Sequence, residues 1–377
     1  MEFSFKPIDP GLRASENRKY MIKITSEGRK YFLAHIGASS QVGGDYKDFF
    51  RVRDYIKPRP LSSKYMEKWL NASLEEVWSA EFLGLDECGL PKLEFQNPPY
   101  SAAYRLGGDP REYNRTFTVQ VNGCTYECSY CFVPREINDP KKRRGAFFSA
   151  KEIIDNFEKA RKEVGNLKVI RISGGEAASI IPEIIVDIYH ELENRKLTEE
   201  VYLWIDTNLS FDGYLKQIEN DLKEIMTKRN VGVVGNIKSI GDGEIGKEYF
   251  ELITGSDCQF FEKQFELAEY WVSTLKSDFY IYLTPIISEE RQIIKERLIA
   301  FVKKLRKIHV NLPLRVEIIQ IHPYGPALEN AKNAAKQGRP LPWFNERIVY
   351  DIWYNQVLPE YYDTSEIYEY KCKIPLT

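Results

Sequence analysis

Three cysteines lie close together in the segment from Asn122 to Pro134. Three residues separate Cys124 from Cys128, and two residues separate Cys128 from Cys131. Thiolates are the usual ligands of iron–sulfur clusters, and closely spaced cysteines let one loop wrap around one cluster. Three protein ligands on a four-iron cube leave one iron open to another molecule, as a catalytic metal site requires. The spacing therefore predicts a [4Fe-4S] cluster with one open coordination position.

Two other interpretations of these cysteines stay open. A structural zinc site needs four ligands, and no further Cys or His lies close by in the sequence. A thioredoxin-like pair would not need Cys124. The other cysteines, Cys88, Cys258 and Cys372, are widely scattered. We interpret them as buried, unreactive thiols, which would bind a second cluster only if the fold gathered them.

The cysteine spacing, with Tyr130 directly before the third cysteine, resembles the signature of the radical S-adenosylmethionine (SAM) superfamily. The resemblance implies that SAM binds the open iron through its amino and carboxylate groups. It also implies reductive cleavage of SAM to methionine and a 5′-deoxyadenosyl radical, which takes a hydrogen atom from the substrate. The backbone at Tyr130 is then expected to help bind adenine. In such a site the cofactors carry the chemistry, and the protein positions them.

The elements that must position this loop follow a regular pattern from Thr116 onward. Strands are predicted at Thr116–Val121, Leu167–Ser173, Val201–Asp206, Val231–Gly235, Phe279–Thr284 and Leu314–Ile321. Helices are predicted at Ser149–Val164, Pro182–Arg195, Phe211–Lys228, Phe260–Leu275, Glu289–Ile308 and Asn345–Pro359. Alternating strands and helices predict a parallel sheet, and six units predict an α/β fold with a partial (β/α)6 barrel of the TIM type.

Three regions are expected along the chain. Residues 1–112 form an N-terminal α+β extension of unknown role, residues 113–326 the core barrel, and residues 327–377 a C-terminal helical tail. The extension is predicted to contain strands at Lys19–Ile24 and Lys30–Ile36, helices capped by Ser62 or Ser63 and by Ser73, and a plain loop at Gly37–Asp45.

Unusual residues follow the predicted strands one after another. Gly174, Gly175 and Glu176 follow the second strand, Asp206, Thr207 and Asn208 end the third, Lys238 follows the fourth, and His322 ends the sixth. In barrels of this type the functional residues lie on the loops at the carboxyl ends of the strands. Paired glycines also let the backbone approach a ligand closely. We therefore expect these residues to surround the cysteine loop.

The segment Ser173–Ala177 followed by Asp206, Thr207 and Asn208 resembles one branch of the superfamily, the pyruvate formate-lyase activating enzymes. The resemblance implies that the Gly-Gly-Glu segment contacts the methionine amino group of SAM through its backbone and the Glu176 carboxylate. Asp206 and Thr207 would help to hold a monovalent cation beside the SAM carboxylate, because oxygen ligands suit a hard cation.

Lys238 and His322 also match positions of that branch. Lys238 corresponds to a lysine that contacts SAM, although Asn236 stands where the branch has an aspartate. His322, in Ile-Gln-Ile-His-Pro-Tyr-Gly, corresponds to a histidine in a similar segment of the branch. Both residues are therefore predicted to contact SAM.

Composition and net charge narrow the expected location and partners of the protein. The chain of 377 residues is 43% hydrophobic, which is ordinary for a globular protein, and its net charge is −2. That charge argues against a generally basic, nucleic-acid-coating surface. No apolar signal core opens the chain and no apolar run could span a bilayer, so we expect a cytoplasmic protein without a membrane partner. The basic run Lys141–Arg144 is typical of solvated surface, but it could also receive an acidic partner or RNA phosphate.

These observations predict a radical SAM enzyme that binds one [4Fe-4S] cluster and SAM and takes electrons from a donor such as ferredoxin or flavodoxin. The first hypothesis for its substrate is a macromolecule, such as a glycyl-radical enzyme that it activates. The second is modification of RNA, a peptide or a small metabolite. The third, from a different class, is an iron–sulfur or zinc protein without catalysis.

Overall fold

The computed structural model describes residues 5–34, 50–54, 97–284, 289–319, 326–339 and 346–376. Within these residues the fold is built on one sheet of ten strands. The strands are β1 (Ile22–Thr25), β2 (Gly28–Ala34), β3 (Phe50–Asp54), β4 (Arg115–Val121), β5 (Gly145–Phe148), β6 (Val169–Gly174), β7 (Tyr202–Thr207), β8 (Val231–Ile237), β9 (Phe279–Leu283) and β10 (Val316–Ile318).

Six of these strands run parallel, in the order in which they occur along the chain. Strands β4, β6, β7, β8, β9 and β10 are neighbours in that order, and every pair among them is parallel. Their apolar, β-branched residues suit strands buried on both faces. The predicted α/β pattern with a parallel-rich sheet is thus confirmed, and the described strands form a sheet that does not close on itself.

Helices lie before, between and after the parallel strands. They are α1 (Pro10–Met21), α2 (Pro99–Leu106), α3 (Arg135–Asn138), α4 (Ala150–Val164), α5 (Ala177–Ile180), α6 (Glu183–Asn194), α7 (Gly213–Gln217), α8 (Glu219–Met226), α9 (Gly243–Thr254), α10 (Phe260–Glu269), α11 (Arg291–Ile308), α12 (Pro326–Lys336), α13 (Glu346–Ile352) and α14 (Thr364–Ile367). Helix α4 begins with the predicted capping box, in which Ser149 and Glu152 satisfy each other's backbone N–H groups. None of the helices in the described ranges combines the length and apolar composition needed to cross a bilayer.

Strands from the first part of the chain extend the same sheet. Strand β3 pairs antiparallel with β4, and β2 pairs antiparallel with β4 and β5. The predicted strand at Lys30–Ile36 is observed as β2, which begins at Gly28. Residues 35 and 36 lie outside the described part of the chain, as do the predicted helices near Ser62 and Ser73 and the loop Gly37–Asp45.

The prediction of a strand at Lys19–Ile24 was wrong for its first half, which belongs to helix α1. Asp9 starts this helix by accepting hydrogen bonds from the N–H groups of Gly11 and Leu12, at 2.8 and 3.0 Å. Proline at the first helical position adds to the signal, since it needs no hydrogen-bond partner there. The strand β1 begins only at Ile22.

Two further predicted elements differ from the structure. The helix expected over Phe211–Lys228 is two short helices, because Ile218 leaves the helical conformation at φ −120° and ψ 27°. The strand expected over Leu314–Ile321 is observed as β10, which begins later because a 3₁₀ turn at Leu312–Arg315 precedes it; residues 320 and 321 lie outside the described part of the chain. Helix α9 has no counterpart among the predicted elements.

Candidate functional site

The cysteine loop follows β4 directly and is held by backbone hydrogen bonds on several sides. The N–H of Cys124 donates to the carbonyl of Asn138 at 3.3 Å. The N–H groups of Glu127 and Ser129 donate to carbonyls at the end of α9, at 2.8 and 3.0 Å. The loop is therefore fixed in place by residues distant in sequence, which gives its three cysteines a defined arrangement.

Side-chain amides hold the same loop. Asn17 of α1 donates to the carbonyl of Cys124 at 3.0 Å, and Asn330 of α12 donates to the carbonyl of Cys131 at 2.9 Å. Asn17 and Asn330 are buried. Sequence analysis missed both residues, because a lone asparagine in a helix carries no signal of its own. The Asp9-Pro10 start of α1 is the signal that would have predicted this helix.

Nitrogen donors also surround the cysteine sulfurs. The Asn208 amide lies 3.5 Å from Sγ of Cys124, and the Asn138 amide lies 3.7 Å from Sγ of Cys131. The backbone N–H of Val133 also donates to Sγ of Cys131, at 3.4 Å. N–H···S hydrogen bonds are a feature of iron–sulfur sites, where they stabilise the anionic sulfurs. The residues present therefore fit a thiolate-bound cluster.

The thiols are costly to ionise without a metal. Burial raises the pKa of Cys124 to about 12, and the neighbouring thiols Cys128 and Cys131 add to the shift. Burial likewise raises the pKa of Cys128 to about 11, although the charge of Lys238 opposes the increase. A bound cation removes this penalty, because a coordinating thiol loses its proton outright.

The three cysteines are not arranged around a single ion. Among the described residues, no three His, Cys, Asp or Glu side chains converge as ligands of one metal ion. A mononuclear zinc would need sulfurs about 2.3 Å from one centre. A [4Fe-4S] cluster does not require the three sulfurs to lie around one centre, since each cysteine binds a different iron. Of the scattered cysteines, Cys372 is buried as expected, Cys258 is only partly buried, and Cys88 lies outside the described residues.

The Gly-Gly-Glu segment after β6 packs directly against the cysteine loop. Gly175 N–H donates to the carbonyl of Val121 at 2.9 Å, and Glu176 N–H donates to the carbonyl of Gly123 at 2.8 Å. A Cβ atom on Gly175 would lie 1.9 Å from the Gly123 oxygen, so only glycine allows this approach. Gly174 has φ +97°, which also favours glycine. The paired glycines thus place the end of β6 against the loop.

The Glu176 carboxylate is turned toward the end of β7. It accepts hydrogen bonds from the N–H of Asn208, the hydroxyl of Thr207 at 2.8 Å and the N–H of Ser179 at 3.0 Å. Burial raises the pKa of Glu176 to about 7, although these donors oppose the increase. A carboxylate has about four acceptor positions, so the chain's own donors use most of them.

Asp206 binds an arginine. Its Oδ2 accepts from the guanidinium of Arg171 and from the Ser173 hydroxyl, and its Oδ1 accepts from the indole N–H of Trp204 at 2.8 Å. The Thr207 hydroxyl donates to Glu176 and accepts from the N–H of Leu209. These oxygens therefore do not fit the monovalent cation expected beside Asp206 and Thr207, since protein donors already surround them.

Lys238 is buried beside the cysteine loop. Its Nζ lies 5.6 Å from the centre of the Tyr130 ring, and its N–H donates to the side chain of Gln264 at 3.1 Å. Burial lowers the pKa of Lys238, but Tyr130 and Cys128 outweigh it and hold the pKa above its usual value. Lys238 therefore stays charged next to the place where anionic groups are expected.

Gln264 of α10 joins two strand ends. Its amide nitrogen donates to the carbonyl of Asn208 at 2.7 Å and to that of Asn236 at 3.0 Å, while its oxygen accepts from Lys238. Sequence analysis missed this residue, because a polar residue in a helix is usually at the surface. His322 lies outside the described residues, so its predicted contact stays a prediction.

Residues 119–242 match the family model of the Radical SAM superfamily, and a comparison with curated proteins found no match. The matched range contains the cysteine loop, the Gly-Gly-Glu segment, Asp206 and Lys238. Members of that superfamily use a [4Fe-4S] cluster and SAM, and they generally need a reductant such as ferredoxin or flavodoxin. The chain therefore carries a radical SAM domain and is an enzyme that catalyses a radical reaction. The domain implies reductive cleavage of SAM.

Proposed function

We propose that Cys124, Cys128 and Cys131 bind a [4Fe-4S] cluster, and that SAM binds its open iron across the carboxyl ends of the parallel strands. When bound, this pair of cofactors supplies the 5′-deoxyadenosyl radical that takes a hydrogen atom from the substrate. The proposed contacts of SAM are Tyr130, Gly174, Gly175, Glu176 and Lys238, together with His322 and the neighbourhood of Asp206.

One observation carries this proposal: three further strand ends meet the cysteine loop. The Glu176 N–H donates to the carbonyl of Gly123, the Asn208 amide donates to the Thr125 hydroxyl, and Lys238 lies over Tyr130. The loops after β4, β6, β7 and β8 are thus joined into one continuous site. Parallel strands bring their carboxyl ends to one edge, where ligands bind in folds of this kind.

The chemical character of each group suits its proposed role. The ammonium group of SAM is a donor, so it needs the carbonyls of the Gly-Gly segment or the remaining acceptor position of Glu176. The carboxylate of SAM needs a cation, and Lys238 supplies one. The buried Tyr130 and its neighbour Ile253 offer apolar surface for adenine. The monovalent cation of the activating-enzyme branch would have to displace Arg171 from Asp206.

We also propose an architecture and a substrate for this enzyme. We expect residues 113–326 to curve into a partial (β/α)6 barrel, with residues 1–112 as an extension and residues 327–377 as a tail. Strand β10 has only β9 as a strand neighbour in the described part of the chain, and its residues Val316–Ile318 are buried. The proposal of a protein substrate, such as a glycyl-radical enzyme, ahead of RNA, a peptide or a metabolite therefore rests on the resemblance to the activating-enzyme branch.

Anaerobic reconstitution of Cys124→Ala tests the ligand assignment. We expect the variant to lose the iron, the broad visible absorbance of the cluster and the formation of 5′-deoxyadenosine from SAM under a chemical reductant. Cys258→Ala is the matched control, because Cys258 lies outside the loop, and it should retain all three. Zinc in place of iron in the wild type, or an intact cluster in Cys124→Ala, would contradict the proposal.

Mass spectrometry of cell extracts with and without the protein tests the substrate. A glycyl-radical protein that is activated only when this enzyme is present supports activation. A modified RNA, peptide or metabolite that changes instead would replace that hypothesis.

A further inference from the structure

A strongly basic run follows the cysteine loop. Residues Lys141, Lys142, Arg143 and Arg144 are all exposed. The run begins three residues after Asn138, whose carbonyl accepts from the N–H of Cys124 and whose amide lies 3.7 Å from Sγ of Cys131. The run is therefore attached to the same short segment that holds two of the cysteines.

A cavity connects this run to the cysteines. It has a volume of about 400 Å³, and its lining includes Cys128, Cys131, Asn138 and Lys142. Two cysteines and one residue of the basic run thus line a common space. A cluster bound to these sulfurs would therefore lie next to this cavity.

Among the described residues, one of the four positive charges of the run is paired. Lys141 pairs with Glu16 of α1 at 3.0 Å. Within the described part of the chain, Lys142, Arg143 and Arg144 form no ion pair. A chain with a net charge of −2 therefore presents a concentrated positive surface beside its cysteine loop.

Helix α1 adds exposed apolar groups next to the charges. Leu12, Glu16 and Tyr20 are spaced by four residues and lie on one face of the helix. The Leu12 side chain is 70% exposed and that of Tyr20 is 37% exposed. Since Glu16 contacts Lys141, this face of α1 borders the basic run. Basic and apolar groups together are typical of a protein-binding surface.

We propose that this face, formed by Lys141–Arg144 and by Leu12, Glu16 and Tyr20, is the docking surface of an acidic one-electron carrier protein. The inference rests on the proposed function, since the carrier's task is to reduce the cluster. The carrier is oxidised by one electron and the cluster is reduced by one electron, with no bond formed or broken. Electron-transfer complexes bury little surface and are short-lived, so electrostatic steering largely sets their rate of formation.

Charge reversal at the run tests the proposal. The variant Arg143→Glu with Arg144→Glu is compared with the control Lys159→Glu with Lys162→Glu on α4, which makes the same change in net charge at exposed positions away from the loop. Reduction of the reconstituted cluster by reduced flavodoxin, and separately by reduced ferredoxin, is followed by stopped-flow absorbance. Cleavage of SAM with dithionite, a small reductant that needs no docking surface, is measured in parallel.

We expect the second-order rate with at least one carrier to fall about tenfold or more in the Arg143/Arg144 variant at low ionic strength. Dithionite-driven cleavage should be unchanged, and the control should match the wild type in both assays. Added salt should slow the wild type toward the variant, because it screens exposed charges.

Equal rates in the variant and the wild type with both carriers, or an equal loss in the control, would overturn the docking surface. Loss of binding to a single-stranded RNA probe in the variant, with carrier rates unchanged, would assign the surface to RNA and overturn it too. Absence of dithionite-driven SAM cleavage in the wild type is a different failure, since it would contradict the proposed function itself.

Discussion

The guanidinium of Arg171 lies on the carboxylate of Asp206, with Nη2 2.6 Å and Nε 2.9 Å from the same oxygen, Oδ2. Both side chains are almost buried, at 12% and 11% exposure. The Trp204 indole and the Ser173 hydroxyl supply the remaining donors to this carboxylate. Arg171 therefore provides the positive charge that the resemblance to the activating-enzyme branch assigns to a monovalent cation.

Cleavage of SAM is predicted to be independent of the monovalent cation, because Arg171 already neutralises Asp206. The measurement is the rate of 5′-deoxyadenosine formation with dithionite in buffers of potassium, sodium or tetramethylammonium at one ionic strength. We expect equal rates in all three. A clear requirement for potassium or sodium in the wild type would contradict this prediction, since it would show a cation site that competes with the arginine.

The asparagine amides next to the cysteine sulfurs are predicted to raise the reduction potential of the cluster. An N–H···S bond stabilises the more negative, reduced state. If each bond contributes about 1 kcal/mol, its loss lowers a one-electron potential by roughly 40 mV. Asn138→Ala is therefore expected to lower the potential measured by spectroelectrochemical titration of the reconstituted protein.

The matched control for that titration is Asn156→Ala, whose amide bonds to a carbonyl within α4 and is far from the loop in the sequence. It should leave the potential unchanged. An unchanged or higher potential in Asn138→Ala would show that this amide does not donate to a cluster-bound sulfur.

The sequence predicted those parts of the fold that depend on local patterns. Apolar, β-branched runs placed the strands β4, β6, β7, β8 and β9, because a strand buried on both faces has few polar residues. The cysteine spacing located the central loop, because one loop must reach several ligand positions. The positions of the site residues at the strand ends followed from the order of the predicted strands along the chain.

The rest depends on tertiary contacts that leave no local signal. Helix α1 is polar along most of its length and is held by contacts such as Asn17 to Cys124, so no apolar stripe marks it. Gln264 looks like any polar helix residue until two strand ends converge on it. Arg171 was overlooked, although its place between Ile170 and Ile172 marks it as a polar residue on one face of a buried strand.

Glu176 is predicted to make the stability of the cluster-free protein depend on pH. Its folded pKa is about 7, above the ordinary value of 4.5, because burial disfavours the charged form. The folded protein therefore holds a proton that the unfolded chain has released, so stability falls as the pH rises from about 4.5 to 7. The full loss is about 3 kcal/mol. Glu176→Gln should remove this dependence.

Urea unfolding of both proteins between pH 5 and pH 8 measures the effect. The free energy of unfolding of the wild type relative to Glu176→Gln should decrease as the pH rises. Glu163→Gln, at an exposed position on α4, is the control and should give a pH profile parallel to the wild type. A parallel profile for Glu176→Gln as well would show that Glu176 keeps an ordinary pKa in the folded protein.

Arg315 is predicted to contribute strongly to stability, because it joins three parts of the fold at the amino ends of the strands. Its Nη1 lies 2.7 Å from the Asp278 carboxylate, and its Nε and Nη2 donate to the carbonyl of Ile374 near the C-terminus. Asp278 also pairs with Arg105 of α2 at 2.8 Å. Burial would raise the pKa of Asp278, but these two arginines outweigh it and hold the pKa below its usual value.

Arg315→Met should therefore lower the free energy of unfolding by about 3–5 kcal/mol, since it leaves the buried Asp278 carboxylate with Arg105 as its one remaining charged partner in the described part of the chain. Lys223→Met is the control: it breaks a 2.6 Å ion pair with Glu219 that is partly exposed to solvent, and surface pairs of this kind contribute at most about 1 kcal/mol. Because the pKa of Asp278 is lowered, the contribution of its ion pairs should be present at neutral pH and lost as the pH falls below the ordinary aspartate range. Urea unfolding at pH 7, and at pH values stepped down below 3.8, the ordinary pKa of aspartate, measures both effects. Equal losses in the two variants at pH 7 would show that the buried network does not hold the C-terminal segment to the sheet.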